Sequence, residues 1–330
     1  MTDTKTYYHE LTFVLGEDRV QIDEPMSRHI SFRVGGPADI FLRVGDTAEL
    51  EKVLGILQTA GVPYFFLGKG TNLLVGDRGY RGAVITFTGV KSQPLTDTTK
   101  ELPAIEAGEF SEAAPLDTVC IAGEEITAGA GASLTRVAVM ARDNGLSGLE
   151  FAAGIPGSVG GGLVMNAGAY DGEMRQVVKS ARLLMPDGKI LTVSNNDLRF
   201  GYRKSLLKEI PAVALQVTFR LTPKEPSAIT EKMQDFANRR LAKQPLEYPS
   251  AGSTFKRPEG HFAGQLIEEA GLRGYTVGGA GVSEKHCGFV VNRDNASAAE
   301  IRQVIEDVQA KVLAHSGIRL EREVIFLGEF

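Results

Sequence analysis

Two glycine-rich loops hold the residues best suited to chemistry on a charged ligand: Gly68-Lys69-Gly70-Thr71-Asn72, and the run Gly154-Ile155-Pro156-Gly157-Ser158-Val159-Gly160-Gly161-Gly162. Glycine lets backbone N–H groups turn toward an anion and lets a pyrophosphate approach without a Cβ in its way. Neither loop is a Rossmann fingerprint. The first lacks a third glycine and continues into LLVGD, and the second has G-x-x-G-x-x-G spacing with no clean strand before it. No G-x-x-x-x-G-K-[ST] occurs, which excludes a P-loop NTPase. Tight structural turns are the alternative reading of such loops. Eleven glycines between residues 129 and 172 weigh against it, because each costs unfolded-state entropy. A large ligand carrying a diphosphate is the better expectation.

The other reactive side chains form no second constellation. Cys120 and Cys287 lie far apart and outside any C-x-x-C pair, so two free thiols are expected in place of a disulfide framework or a zinc site. His9, His29, His261, His286 and His315 lack metal-ligand spacing, and the adjacent pair His286 and Cys287 would face opposite sides of a strand. No metal is expected. A formal net charge of -5, with 43% hydrophobic residues, leaves no basic excess to drive nucleic-acid binding by counterion release. The opening MTDTKTYYHELTF lacks a basic stretch followed by an apolar core, and no run approaches the roughly 18 apolar residues of a membrane span. A cytosolic protein is expected, without membrane, nucleic acid or an obligate protein partner.

At 330 residues the chain can hold two or three domains sharing a cleft. Periodicity predicts mixed helix and strand. Residues 31–44 read as a strand pair broken at Gly35-Gly36-Pro37, followed by a helix carrying Leu50, Val53, Leu54 and Leu57 after a cap at Asp46 or Thr47. A βαβ-like unit continues into strands at 63–68 and 82–87. Residues 91–120 are polar, proline-punctuated and weakly periodic, and read as a loop. Strand, helix and hairpin signals resume at 124–129, at Leu134, Val137, Ala138 and Ala141, and at Asp187-Gly188. A strand at 212–221 and a charge-rich helix at 227–243 follow, then a helix near 262–271 and the strand-like GFVVN. The capping box Ser297 to Glu300 opens a helix with the stripe Ile301, Val304, Ile305, Val308 and Val312, ended by Gly317, and LEREVIFLG supplies a last strand.

Seven segments, in order, are FRVGGPAD (32–39), LGKGTNLLV (67–75), AGAGASL (128–134), GLEFAAGIPGSVGGGLVMNAGAY (148–170), FGYRKS (200–205), YPSAGSTFKRP (248–258) and LEREV (320–324). Over nearly the whole chain this order resembles the UDP-N-acetylenolpyruvoylglucosamine reductases. The resemblance implies an α+β protein: a two-subdomain FAD-binding domain of the vanillyl-alcohol-oxidase type, residues 1–88 and 89–224, with 91–120 a loop insertion. Residues 225–330 would form a C-terminal α+β substrate domain whose last strand carries Glu323 into the cleft. It further implies non-covalent FAD held by Gly68, Lys69, Gly70, Thr71 and Asn72, by Ala130, Gly131, Ala132 and Ser133, and by Gly154, Ile155, Pro156, Gly157, Ser158, Gly160, Gly161, Asn166 and Gly168. Lys69 and Thr71 depart from the family's usual G-G-G-S-N. The short approach QPLEYPSAGSTF resembles the family's shorter branch, which lacks an inserted tyrosine-bearing loop.

The implied catalytic trio is Arg203, Ser253 and Glu323, with NADPH as co-substrate and UDP-N-acetylglucosamine enolpyruvate as acceptor. Hydride from N5 of reduced FAD to the terminal CH₂ of an enolpyruvyl ether pushes charge onto the carbon beside the carboxylate, and that carbon is then protonated. A flavin that stores the hydride lets the two substrates alternate in one site. Arg203 offers a permanent cation with a planar fork for a carboxylate, Glu323 helps only as a protonated donor, and Ser253 supplies the proton. The alternatives are another FAD-dependent oxidase of the same fold and a ligand-binding module without turnover.

Overall fold

The structure, a computed structural model, describes residues 4–88 and 114–330. Most of the stretch 91–120 therefore lies outside the described residues, while Val119–Ala122 at its end forms a strand. The chain divides into two compact units. One comprises Met1–Gln21, Leu42–Gly68 and Val84–Asn238, the other Ile22–Phe41, Lys69–Ala83 and Arg239–Phe330.

The first unit is built on a five-stranded antiparallel sheet in the order Ile190–Ser194, Val178–Leu184, Val213–Arg220, Glu125–Gly129, Val119–Ala122. Its central strand, VALQVTFR, is buried at every position except Thr218 and Arg220, as an apolar run covered on both faces must be. The Asp187-Gly188 hairpin forms as expected: Leu184 pairs with Ile190, and Gly188 takes a φ of 80°. The helices Leu134–Asp143 and Val159–Met165 pack against the sheet. Leu134, Val137, Ala138 and Ala141, spaced i, i+3, i+4 and i+7, fall on one buried stripe. Full burial of each large apolar side chain contributes about 1.5–3 kcal/mol. The helix Thr47–Thr59 begins where Asp46 Oδ1 accepts the Glu49 N–H at 2.8 Å, and buries Leu50, Val53 and Leu57.

A four-stranded sheet has the order Val20–Pro25, Pro37–Val44, Tyr80–Phe87, Tyr64–Leu67. The strands on either side of the helix Thr47–Thr59 are thus not neighbours, because Tyr80–Phe87 lies between them. Residues 31–36, expected as half of a strand pair, form no strand. Arg33 at φ 57° and Gly35 at φ 110° turn the chain there, so extended structure starts only at Pro37.

In the second unit, Thr276–Val277, Ala280–Val282 and Val290–Asn292 make an antiparallel sheet. The helix Ala298–Ser316 packs on it through Ile301, Val304, Ile305, Val308 and Val312, all fully buried. Its capping box is complete: Ser297 Oγ accepts the Glu300 N–H at 3.1 Å and Glu300 Oε2 the Ser297 N–H at 3.0 Å. Asp77 adds a second cap, its two carboxylate oxygens accepting the N–H groups of Ala298 and Ala299 at 2.8 and 2.9 Å. Gly317 ends the helix at φ 71°. The last strand is shorter than expected. Only Ile325–Leu327 is a strand, paired in parallel with Leu73–Val75, and Glu323 stands two residues before it.

Candidate active site

In the first unit, loops 130–133 and 157–161 run side by side. The carbonyls of Ala130 and Ala132 accept the N–H groups of Gly160 and Val159, both at 2.8 Å, Gly157 accepts from Leu134 at 3.0 Å, and Ser133 bridges to Ser158. A Cβ at Gly160 would lie 2.9 Å from that of Ala130, so this approach requires glycine. Ser158 Oγ caps the helix Val159–Met165 by accepting the Gly161 N–H at 3.2 Å. Gly68 meets the same serine: a Cβ there would come within 2.6 Å of Ser158 Oγ. Gly154, Ile155 and Pro156 follow the buried turn Glu150–Ala152, where Ile155 N–H donates to Ala152 at 3.0 Å and Thr135 Oγ1 to Ala153 at 2.9 Å. The structure thus gathers Gly68, residues 130–133 and residues 157–161. Main chain at Gly68, Gly154 and Gly161 stays exposed, and added side chains at Gly68 or Gly160 would close the cradle. These residues fit a flat ligand bearing a diphosphate, as FAD does.

Two other residues expected at the cofactor have partners within the protein. Asn166 ends the helix Val159–Met165 in the left-handed conformation and is buried; its side chain bonds to Glu173, Gly201 and Arg175. Gly168 pairs with Glu173, and a Cβ there would strike Gly172 O at 2.7 Å. Its smallness serves the hairpin.

Arg203 occupies a two-residue tip. Gly201 and Lys204 exchange main-chain hydrogen bonds at 2.9 and 3.2 Å, which leaves Tyr202 and Arg203 to make the turn, with Arg203 at φ 54°. The guanidinium stands 5.2 Å above the exposed Tyr202 ring. Elsewhere in this unit Glu150 is a carboxylate only 3% exposed that accepts from Ser147 Oγ at 2.5 Å and Gly148 N at 3.0 Å, with Lys232 Nζ at 3.6 Å. Burial pushes its acidity toward the neutral form, but the Ser147 bond, its main-chain bonds and Lys232 outweigh that and hold it below the usual carboxylate range.

In the second unit, residues 254–256 run beside 321–323. Glu323 N–H donates to Thr254 O at 2.8 Å, Lys256 N–H to Glu321 O at 2.8 Å, and Phe255 bridges to Arg322. Ser253, exposed at the head of this pairing, is therefore a sequence neighbour of the residue that grips Glu323. Thr254 is fully buried, its Oγ1 accepting the Val290 N–H at 2.9 Å and its N–H donating to Gly288 O at 2.9 Å. Sequence reasoning missed Thr254, since a threonine between a serine and a phenylalanine carries no signal of its own.

The loop 69–72 belongs to this unit. Gly70, at φ 63°, accepts at its carbonyl from Ser31 N–H at 3.0 Å and Ser31 Oγ at 3.3 Å, and a Cβ on it would strike His29 O at 2.2 Å. Lys69 is exposed beside it. Asn72 Nδ2 donates to Glu323 O at 3.1 Å, and Asn72 O accepts the Ile325 N–H at 3.1 Å. Thr71 lies between, half-buried.

Cys120 and Cys287 are both free, and burial pushes both thiols up, away from thiolate. Among the described residues no group of three His, Cys, Asp or Glu side chains could hold a metal, and no helix is long and apolar enough to cross a membrane.

Comparison with known proteins aligns with this geometry. Residues 38–194 match the family described as "FAD binding domain", and residues 244–327 match "UDP-N-acetylenolpyruvoylglucosamine reductase, C-terminal domain". The UDP-N-acetylenolpyruvoylglucosamine reductase of Agathobacter rectalis is 48% identical over 327 residues, covering 99% of each chain. That of Clostridioides difficile is 44% identical over 323 residues, covering 98% of each. Among solved structures, the UDP-N-acetylenolpyruvylglucosamine reductase from Thermus caldophilus matches with a TM-score of 0.73 at 31% identity, covering 94% of this chain and 99% of that one.

Proposed function

This chain belongs to the UDP-N-acetylenolpyruvoylglucosamine reductase family, and we propose on that premise how its residues reduce UDP-N-acetylglucosamine enolpyruvate to UDP-N-acetylmuramate with electrons from NADPH. It is a FAD-dependent oxidoreductase of peptidoglycan precursor synthesis, with a FAD-binding domain of the vanillyl-alcohol-oxidase type. We place the reaction in the cytoplasm.

Bound FAD supplies two-electron hydride chemistry. Gly68, residues 130–133 and residues 154–161 would hold it, with main chain exposed at Gly68, Gly154 and Gly161. Residues 1–88 and 89–224 are the two parts of the flavin domain, and residues 225–330 carry the sugar nucleotide.

Arg203 binds the enolpyruvyl carboxylate and opposes the charge that develops as hydride reaches the CH₂ carbon. Its planar fork suits a carboxylate bidentately. Such preorganised stabilisation contributes a few kcal/mol, about 3–4 where single donors have been removed elsewhere. Glu323, protonated, donates a hydrogen bond to the same carboxylate, since an ionised side chain would repel it. Ser253 Oγ gives its proton to the carbon beside the carboxylate. The observation that carries this assignment is the 2.8 Å bond from Glu323 N–H to Thr254 O, which ties the last two residues into one rigid pairing although 70 positions separate Ser253 from Glu323.

Steady-state rates measured over a grid of NADPH and enolpyruvyl-substrate concentrations test the scheme. Parallel double-reciprocal lines are expected if the two substrates alternate; intersecting lines would mean that both occupy the protein at once and would overturn it.

A further inference from the structure

Both flanks of the Arg203 tip are fastened to the end of one short helix. On one side, Asn166 Nδ2 donates to Gly201 O at 3.1 Å and to Glu173 Oε2 at 3.0 Å, while its Oδ1 accepts the Arg175 N–H at 3.0 Å. The amide is therefore satisfied by protein, and with 1% of the residue exposed it presents no side-chain group to a ligand. On the other side, Ser205, fully buried, donates from Oγ to Val164 O at 3.0 Å. Between these anchors the Gly201 to Lys204 pairing leaves no choice but a tight tip.

Arg203 itself adopts φ 54°, a left-handed conformation that is strained for a Cβ-bearing residue. A strained residue holds its conformation only where the surroundings over-determine it. Releasing the Gly201 carbonyl lets the tip relax, and the guanidinium loses its aim.

We propose that Asn166 is a positioning residue for Arg203, acting through the Gly201 carbonyl. Its burial and its three bonds to protein mark its side chain as part of the helix end. This rests on the assignment of Arg203 to the enolpyruvyl carboxylate. The helix Val159–Met165 then couples two functions: its first turn carries Gly160 and Gly161 of the cradle, and its C-cap, Asn166, sets the tip that bears the cation.

Asn166→Gly is the informative variant, because φ 42° and ψ 55° suit glycine as well as asparagine, so the helix end survives while the amide disappears. Flavin content per chain, flavin bleaching by NADPH and anaerobic recolouring by the enolpyruvyl substrate are measured for N166G, R203A and the double variant. The expected result is normal flavin content and bleaching in N166G, recolouring slowed about tenfold to a hundredfold, and no further slowing when N166G is added to R203A. Three outcomes overturn the proposal: loss of flavin from N166G, equal damage to both half-reactions, or an effect that multiplies with that of R203A. If R203A alone recolours at the normal rate, the assignment of Arg203 fails instead, and the positioning role fails with it.

Discussion

The side-chain amide of Asn72 donates to the main-chain carbonyl of Glu323 at 3.1 Å across 251 positions of sequence. The same asparagine accepts the Ile325 N–H at its own carbonyl, so one residue clasps the chain on both sides of Val324 and starts the parallel pairing of Leu73–Val75 with Ile325–Leu327. Asn72→Ala leaves a half-buried carbonyl without its donor and should cost about 1–2 kcal/mol in urea unfolding, with the enolpyruvyl half-reaction slowed as Glu323 loosens. Unchanged stability and unchanged recolouring would show that the clasp is incidental.

Asp77 caps the helix Ala298–Ser316 with both carboxylate oxygens. Asp77→Ala removes an acceptor for two helix N–H groups and a negative charge at the positive end of the helix dipole. A loss of about 1–2 kcal/mol is expected by urea or thermal unfolding at neutral pH, with Asp77→Asn recovering part of it.

Gly68→Ala puts a Cβ within 2.6 Å of Ser158 Oγ. The serine must rotate away, releasing the Gly161 N–H that it caps at 3.2 Å. Lower flavin occupancy, read as flavin absorbance per chain, is expected together with about 1 kcal/mol of destabilisation. Full occupancy in this variant would place the flavin elsewhere.

Glu150 gives a pH signature. Its carboxyl is held below its ordinary range when folded: burial opposes this, and the Ser147 bond, main-chain bonds and Lys232 prevail. A lowered folded value means that the stabilisation is present above the unfolded value, near 4.3, and is lost as pH falls through the folded one. Glu150→Gln should therefore be less stable than the parent at pH 7, and the gap should narrow below about pH 4. A gap that stays constant from pH 7 to pH 3 would contradict this account of the carboxylate.

Local patterns in the sequence account for much of this fold. The Ser297 and Glu300 capping box, the stripe from Ile301 to Val312, and the Asp187-Gly188 hairpin are each determined by residues a few positions apart. The two glycine segments pointed to a diphosphate ligand because glycine's exposed main chain is itself the signal. What stayed hidden depends on distant partners. Residues 31–36 read as extended, yet Gly35 turns at φ 110° with the chain of Val75 packed 2.9 Å from where a Cβ would be, a contact no local pattern encodes. LEREVIFLG reads as one strand, but residues 321–323 pair with 254–256 and Ile325–Leu327 with Leu73–Val75. The family resemblance places Asn166 in a flavin segment, and its three side-chain bonds, two of them to residues 173 and 201, show where the amide points.

The most direct test of the catalytic trio is anaerobic. The flavin-loaded protein is bleached with one equivalent of NADPH, UDP-N-acetylglucosamine enolpyruvate is added, and the flavin band is followed for the parent chain and for Ser253→Ala. Rapid bleaching in both, recolouring with formation of UDP-N-acetylmuramate in the parent, and at least a hundredfold slower product formation in the variant are predicted, in line with the loss of a general acid. Product formed by Ser253→Ala at the parental rate would remove Ser253 as proton donor and contradict the account.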